Sequence, residues 1–303
     1  MRAYLEPIMN AVMLFPLIAM LFTFPYVVAQ YRRFGSILVL RTAIVYSFIL
    51  YMMCAYFLTI LPLPTIESVR KLTTQTIQLV PFHELADFFR KSGLVITQPS
   101  TYWTAIKSHN FICISMNVLM VVPFGIYMRY YFRRNLWQTV LLSLCLSLVY
   151  ELTQLSGLFF IYPRPYRLCD VDDLITNTLG GYLGYLIAPL FMRVLPSAER
   201  LDAVAYKRGT HVSVMRRLAC LAVDYFVVLC AFVLLAINMP WVLNPAPGLP
   251  GLLRYLPMLL TFLGVVFFYF AGLQWLLRGR TLGKWTFGIK LCAKGGDRPA
   301  LWQ

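Results

Sequence analysis

The residues best suited to chemistry lie between Glu151 and Asn177. The stretch begins with a carboxylate and an amide, Glu151 and Gln154, passes through an arginine-bearing loop, and ends in the run DVDDLITN. Asp170, Asp173 and Asn177 are spaced three and four residues apart, so they share one face of a helix. The flanking segments are apolar enough for lipid, where each charged side chain costs about 2.5–3.5 kcal/mol to insert. This cost predicts a functional polar site.

Two further residues complete the predicted site. Asn117 lies inside an earlier apolar run, and Arg167 lies in the loop, three residues before Asp170. The forked guanidinium of Arg167 suits a phosphate or a carboxylate. An unpaired carboxylate in apolar surroundings is costly, so we expect Asp173 to accept a hydrogen bond from Arg167 or Gln154. The alternative is a purely structural network, which Ser and Thr could form at lower cost.

Small residues follow the acidic run. Gly180, Gly181 and Gly184 stand on the same segment, and a G-x-x-x-G spacing lets a neighbouring membrane helix approach closely. We predict that these glycines form a helix-packing surface.

The composition defines the fold class. Of 303 residues, 60% are hydrophobic and only 13% are charged, and the mean hydropathy is +0.69. This balance, with apolar runs of spanning length, predicts an all-α polytopic membrane protein with about seven transmembrane helices. The seven predicted runs are Met9–Ala29, Ile37–Leu61, Phe111–Tyr130, Leu136–Phe159, Asp170–Leu195, Arg216–Asn238 and Arg254–Leu277.

The charge distribution predicts an orientation. The net charge of +15 fits membrane lipids as partners rather than nucleic acid, because no basic and aromatic binding module lies outside the runs. The connections on one side of the seven runs hold 18 of the 27 Lys and Arg residues, and those on the other side hold nine. The positive-inside rule then places the N-terminus outside and the C-terminus in the cytoplasm. The polar site would open outward.

Metal and redox chemistry have little support in the sequence. The seven cysteines include no C-x-x-C pair, and the chain has three histidines. His83–Asp87 (HELAD) lacks the second histidine of a zinc-binding H-E-x-x-H helix. We therefore expect no metal and no cofactor, and we interpret this segment as an interfacial helix that turns Leu85, Phe88 and Phe89 towards lipid.

Several of these motifs resemble the VanZ-like family, which is named for a bacterial teicoplanin-resistance membrane protein. The similar segments are NVLMVVPFG from Asn117, Glu151-x-x-Gln154 and DVDDLITNTLGG from Asp170; QLVPF from Gln78 is similar to the family's N-L-x-P-F element. The resemblance implies a multi-pass protein of the bacterial cytoplasmic membrane that reduces susceptibility to lipoglycopeptides. Its ligand would be a lipid-linked wall precursor, a lipid headgroup or the drug. A membrane enzyme acting on a lipid headgroup and a small-solute transporter stay open as alternatives.

The C-terminal part resembles an RDD domain. Arg217 and Asp224 match the R-x6-D signature, and GRTLGKWTFGIK from Gly279 matches the basic stretch of that family. An RDD domain normally adds another span beyond this point, so we expect a partial one. The predicted organisation is an extra N-terminal helix and basic turn (1–36), a VanZ-like domain (37–195), a cytoplasmic connector (196–215) and a partial RDD domain (216–303).

Overall fold

The computed structural model describes residues 2–239 and 255–292, together with Val242 and Leu253. Apart from Val242, the Pro/Gly-rich stretch from Pro240 to Gly251 lies outside the described residues, as do the predicted start of the seventh run at Arg254 and the chain end after Cys292.

Seven of the described helices are long and apolar enough to cross a membrane. An α-helix rises 1.5 Å per residue, so about 20 residues cover the hydrocarbon core. The prediction of an all-α, multi-pass membrane protein is confirmed; the orientation stays a prediction. The seven helices are Leu5–Phe34, Val39–Ile60, His109–Tyr130, Leu136–Leu155, Val171–Val194, Val214–Asn238 and Leu256–Leu276.

The helix ends differ from the predicted ones where local backbone chemistry decides them. The first helix continues to Phe34, so Arg32 and Arg33 are helical, and the chain turns only at Gly35, whose φ is +73°. The fifth span begins at Val171, because Asp170 is extended and its side chain caps the helix. The fourth ends at Leu155 and is followed by a turn in which Leu158 and two residues after it have positive φ.

The chain divides into two compact units, which comprise residues 1–21 with 40–201 and residues 22–39 with 202–303. The predicted domain limits stay predictions. The first unit contains the start of α1 (Arg2–Phe34), α2 (Val39–Ile60), α3 (Ile66–Arg70), β1 (Ile77–Gln78), α4 (His83–Lys91), a 3-10 turn (Pro99–Thr101), α5 (Tyr102–Ile106), α6 (His109–Tyr130), α7 (Leu136–Leu155), α8 (Gly157–Phe160), β2 (Cys169–Asp170), α9 (Val171–Val194) and the start of α10 (Ala198–Gly209).

The second unit takes the end of α1, most of α10 and the helices after it. These are α11 (Val214–Asn238), α12 (Leu256–Phe267), a π-helical turn (Phe268–Leu273), α13 (Gln274–Leu276) and α14 (Leu282–Thr286).

Glycines let α9 lie against α6 and α7. A Cβ on Gly180 would stand 2.2 Å from the carbonyl oxygen of Val118, and one on Gly184 would stand 2.0 Å from that of Val122. A Cβ on Gly181 would reach 1.9 Å from Ser143 Oγ on α7. No side chain fits at these distances, so the helix backbones come within direct contact. The structure thus places all three glycines at helix contacts.

The two short strands attach a loop to the start of α9. β1 and β2 pair in parallel, with Ile77 opposite Cys169 and Gln78 opposite Asp170. Gln78 is buried and hydrogen-bonds the backbone of Val80 through both ends of its amide. This pairing brings the polar segment before α4 to the end of α9 that carries the acidic run.

Candidate ligand-binding site

The centre of the site is a contact between α6 and α9. Asn117 Nδ2 donates to Asp173 Oδ1 at 2.5 Å, and both residues are half-buried. The expectation that Arg167 or Gln154 would hold Asp173 was wrong. Gln154 Nε2 donates to the carbonyl of Thr59 at 3.2 Å. The glycine contacts bring α6 close enough to α9 for the short Asn117 amide to reach the carboxylate.

The two arginines of the loop before α9 also bond elsewhere. Arg167 Nη2 donates to the carbonyl of Leu61, and Arg164 donates to the carbonyls of Leu72 and Thr74. Among the described residues, both guanidinium groups therefore hydrogen-bond backbone oxygens of the chain that follows α2. They hold the loop before α9 in place, and neither neutralises the carboxylates of the site.

The side chain of Glu151 on α7 contacts the start of α9. Its side chain is 2% exposed, and Oε2 accepts the backbone N–H of Asp170 at 2.9 Å. The thiol of Cys169 donates to the same carboxylate. Burial and the Glu151 charge raise the pKa of Cys169 to about 11, so at neutral pH the thiol keeps the proton that this hydrogen bond needs.

Asp170 forms the N-cap of α9. Its Oδ1 accepts the backbone N–H of Asp172 at 2.8 Å, as Asp commonly does at this position. Burial raises the pKa of Asp170, and the hydrogen bond from Asp172 opposes that rise in part. Asp170 thus has a structural role in the site, as the cap of α9.

Asn177 lies one turn after Asp173. Its Nδ2 donates to Ser147 Oγ at 2.9 Å, and Ser147 Oγ donates to the backbone carbonyl of Asp173 at 3.2 Å. The side chain of Asn177 is 3% exposed. Within the described part of the chain, its Oδ1 accepts no hydrogen bond.

Asp172, which was not among the predicted site residues, brings a further helix to the site. Its carboxylate is buried and accepts the backbone N–H of Phe82 at 2.5 Å and that of Glu84 at 2.7 Å. The first N–H groups of a helix need acceptors, and a carboxylate also suits the positive end of the helix dipole. Phe82 supplies no side-chain cap to α4. The missing cap is the signal that pointed to an acceptor from elsewhere.

Docking by Asp172 changes the interpretation of α4. Phe88 is buried, with its ring centroid 5.8 Å from that of Phe111 on α6, so the expectation that it faces lipid was wrong. Leu85 and Phe89 are exposed. The helix packs with one aromatic side chain against α6 and keeps Leu85 and Phe89 on the surface.

Glu84 joins the site through this docking. Its Oε2 is buried and has no hydrogen-bond donor among the described residues. Burial raises the pKa of Glu84, with the charges of Asp170 and Asp172 adding to the rise and His83 opposing it. We call the five carboxylates Glu84, Glu151, Asp170, Asp172 and Asp173 the acidic cluster.

The acidic cluster carries a concentrated negative charge. Asp173 lies within electrostatic range of the other four members, and none of the five forms an ion pair with any described residue. No group of three His, Cys, Asp or Glu side chains in the described ranges has the arrangement to hold a metal ion. The uncompensated negative charge favours a ligand with hydrogen-bond donors or positive charge.

The second unit contains a separate polar centre around Asp224. This carboxylate is 2% exposed and accepts hydrogen bonds from Tyr269 Oη at 2.7 Å, Thr281 Oγ1 at 2.6 Å and the backbone N–H of Gly283 at 2.7 Å. It therefore joins α11, the π-helical turn and the start of α14. A carboxylate with three donors is satisfied, which indicates a structural role.

The arginine of this unit that makes buried contacts is Arg216, which the sequence analysis did not select. Arg217 is exposed, whereas Arg216 is 6% exposed. Its five hydrogen bonds all go to backbone carbonyls, those of Tyr31, Gly35, Phe287 and Gly288. The buried positions of α11 recur every fourth residue from Arg216 through Cys220 and Asp224 to Ala236. That stripe distinguishes Arg216 from its neighbour.

Fold and sites together define a multi-pass helical membrane protein with an acidic cluster in one unit and a carbonyl-binding arginine in the other. Residues 48–192 match the VanZ/LLP1 family, and residues 211–303 match the RDD family. The chain therefore joins a VanZ-like domain to a C-terminal RDD domain. Every member of the acidic cluster falls within the VanZ-like match. Comparisons with curated proteins and with solved structures found no match.

Proposed function

We propose that this chain is a protein of the bacterial cytoplasmic membrane that lowers susceptibility to teicoplanin-type lipoglycopeptides by binding a ligand at the acidic cluster. The observation that carries the proposal is that the carboxylate of Asp173 is only partly hydrogen-bonded. This half-buried carboxylate is held by one amide through Oδ1, while Oδ2 accepts no hydrogen bond from a described residue. A purely structural carboxylate would be expected to have its donors within the protein, as Asp224 does.

Orientation is part of this proposal, because the ligands considered are outside the cell or in the outer leaflet. The support is the excess of Lys and Arg, 18 against nine, on the side opposite the acidic cluster. In a cysteine-free background, a cysteine replacing Lys91 should react with an impermeant maleimide in intact cells. One replacing Lys207 should react only after the membrane is opened. The reverse pattern would place the acidic cluster on the cytoplasmic side and contradict the proposal.

The function is tested at Asp173. Asp173→Asn keeps the shape and one acceptor for Asn117 but removes the charge. A hydrogen bond to a charged group contributes about 1.5–3 kcal/mol, so ligand binding should weaken by about tenfold or more. The expected result is loss of teicoplanin protection in a susceptible host at unchanged membrane abundance.

The matched control is Glu67→Gln, which changes an exposed carboxylate on α3. It should leave protection unchanged. Full protection by Asp173→Asn would show that the charge is not used. Disappearance of the variant from the membrane would assign Asp173 to folding instead.

A membrane enzyme acting on a lipid headgroup is the second candidate, because clustered carboxylates could supply an acid and a base. The structure adds one thiol–imidazole pair, Cys113 Sγ at 3.5 Å from His109 Nε2. Its charged neighbours include the carboxylates of Glu84 and Asp173 rather than the cations that activate a thiol. Release of a headgroup by the purified protein would favour this candidate over simple binding.

A further inference from the structure

In the acidic cluster and Asn177, the buried side-chain atoms without a hydrogen-bond partner among the described residues are acceptors; outside this group, Arg164 Nε and the Tyr150 hydroxyl also have none. Asn177, at 3% exposure, presents an unpaired Oδ1, and Glu84 presents a buried, unpaired Oε2. Asp173 adds Oδ2, which no described residue donates to. A buried acceptor without a donor has lost its hydrogen bonds to water and gained none in return, which costs free energy. A ligand that brings donors would recover this free energy, whereas a ligand made of acceptors would not.

The charges of the site also favour a ligand that brings hydrogen-bond donors. The acidic cluster has no ion pair with a described residue, and Arg164 and Arg167 bond backbone carbonyls instead. An anionic group, such as a bare phosphate, would meet like charges here. The described side chains do not converge as metal ligands do. The unpaired acceptors lie on different elements, Glu84 on α4 and Asp173 with Asn177 on α9, which suits a group with several N–H donors.

We propose that the acidic cluster binds a primary ammonium group. An ammonium is a compact positive charge with three N–H donors, and hydrogen bonds between an ammonium and a carboxylate are among the strong ones in proteins. Asp173 Oδ2 and Glu84 Oε2 accept two of the N–H groups, and Asn177 Oδ1 is the third acceptor. The proposal rests on the proposed function in that it names the ligand chemistry of the same site. The ammonium belongs either to a lipid headgroup or to the drug.

The first test changes the ligand and leaves the protein intact. The full chain is reconstituted in phosphatidylglycerol nanodiscs that contain either phosphatidylethanolamine or its N-acetyl derivative, and retained lipid is measured by native mass spectrometry. Acetylation removes the charge and two donors, so the amine form should be retained about tenfold or more over the acetylated form. Equal retention of the two lipids, together with equal competition by the free-amine and N-acetylated drug, would overturn the proposal.

The second test changes the site. Asp173→Asn and Glu84→Gln should each reduce the preference for the amine lipid, while Glu67→Gln should leave it unchanged. The thermal unfolding midpoint of each variant reports whether it is folded. A folded Asp173→Asn protein with the full preference would overturn the proposal, because the ammonium would then not depend on this carboxylate.

Competition separates the two sources of the amine. A lipoglycopeptide with a free amine is added to the phosphatidylethanolamine nanodiscs, in parallel with the same compound after N-acetylation. Displacement of lipid by the free amine alone assigns the site to the drug, and retention of lipid against both compounds assigns it to the headgroup. If the protein retains the amine lipid preferentially but gives cells no protection from the drug, the proposed function is wrong and the ammonium ligand stands. If protection of cells depends on Asp173 but the protein shows no preference for the amine lipid, the ammonium ligand is wrong and the proposed function stands.

Discussion

Replacing Arg216 with alanine is expected to unfold most of the second unit, whereas the same change at Arg217 should leave it folded. The Arg216 guanidinium makes five hydrogen bonds, all to backbone carbonyls. Two of the carbonyl-bearing residues are Phe287 and Gly288, and the others are at the end of α1. Hydrogen bonds to charged groups contribute about 1.5–3 kcal/mol each, so losing this set approaches the whole stability of a typical domain.

The paired arginines make the experiment internally controlled. Both changes remove one positive charge from adjacent positions at the start of α11, but Arg217 is exposed. Thermal unfolding of the purified protein should therefore show a large loss for Arg216→Ala and little change for Arg217→Ala. Arg216→Lys should fall between them, because an ammonium cannot reproduce the planar fork of a guanidinium. Equal midpoints for the two alanine variants would contradict the assigned role.

The spans could be predicted from the sequence because lipid imposes one simple requirement, an apolar run of sufficient length. The spacing of Asp170, Asp173 and Asn177 likewise follows from helix geometry alone. The positions of the helix ends could not be predicted as well. They depend on local events such as the Asp170 cap and the turn at Gly35.

The site contacts that could not be predicted from the sequence depend on residues far apart in the chain. Asp172 is separated from Phe82 and Glu84 by 90 and 88 residues in sequence, so its role appears only when α4 lies against the start of α9. Asn117 was selected, but its pairing with Asp173 required the close approach that the glycines permit. Sequence periodicity identifies the residues that share a face on one helix; it does not identify the partner that another helix supplies.

Asp172→Asn is expected to release α4 from the acidic cluster. The carboxylate accepts two backbone N–H groups at once, but an asparagine offers one oxygen and turns an N–H₂ group towards the second donor. Loss of one hydrogen bond to a charged group costs about 2 kcal/mol, which corresponds to an about 30-fold larger equilibrium constant for opening of the helix. Hydrogen–deuterium exchange of the segment 82–91 measures this opening directly.

Asp87→Asn is the matched control, because Asp87 lies on the same helix and its carboxylate bonds the neighbouring Lys91. An exposed pair of this kind contributes little, so exchange in the segment should stay near that of the wild type. The Asp172 variant should also lose the amine preference, since Glu84 reaches the site only through the docked helix. If exchange of α4 is unchanged in Asp172→Asn, the helix is held by Phe88 and its apolar contacts, and the carboxylate of Asp172 is then available to the ligand instead.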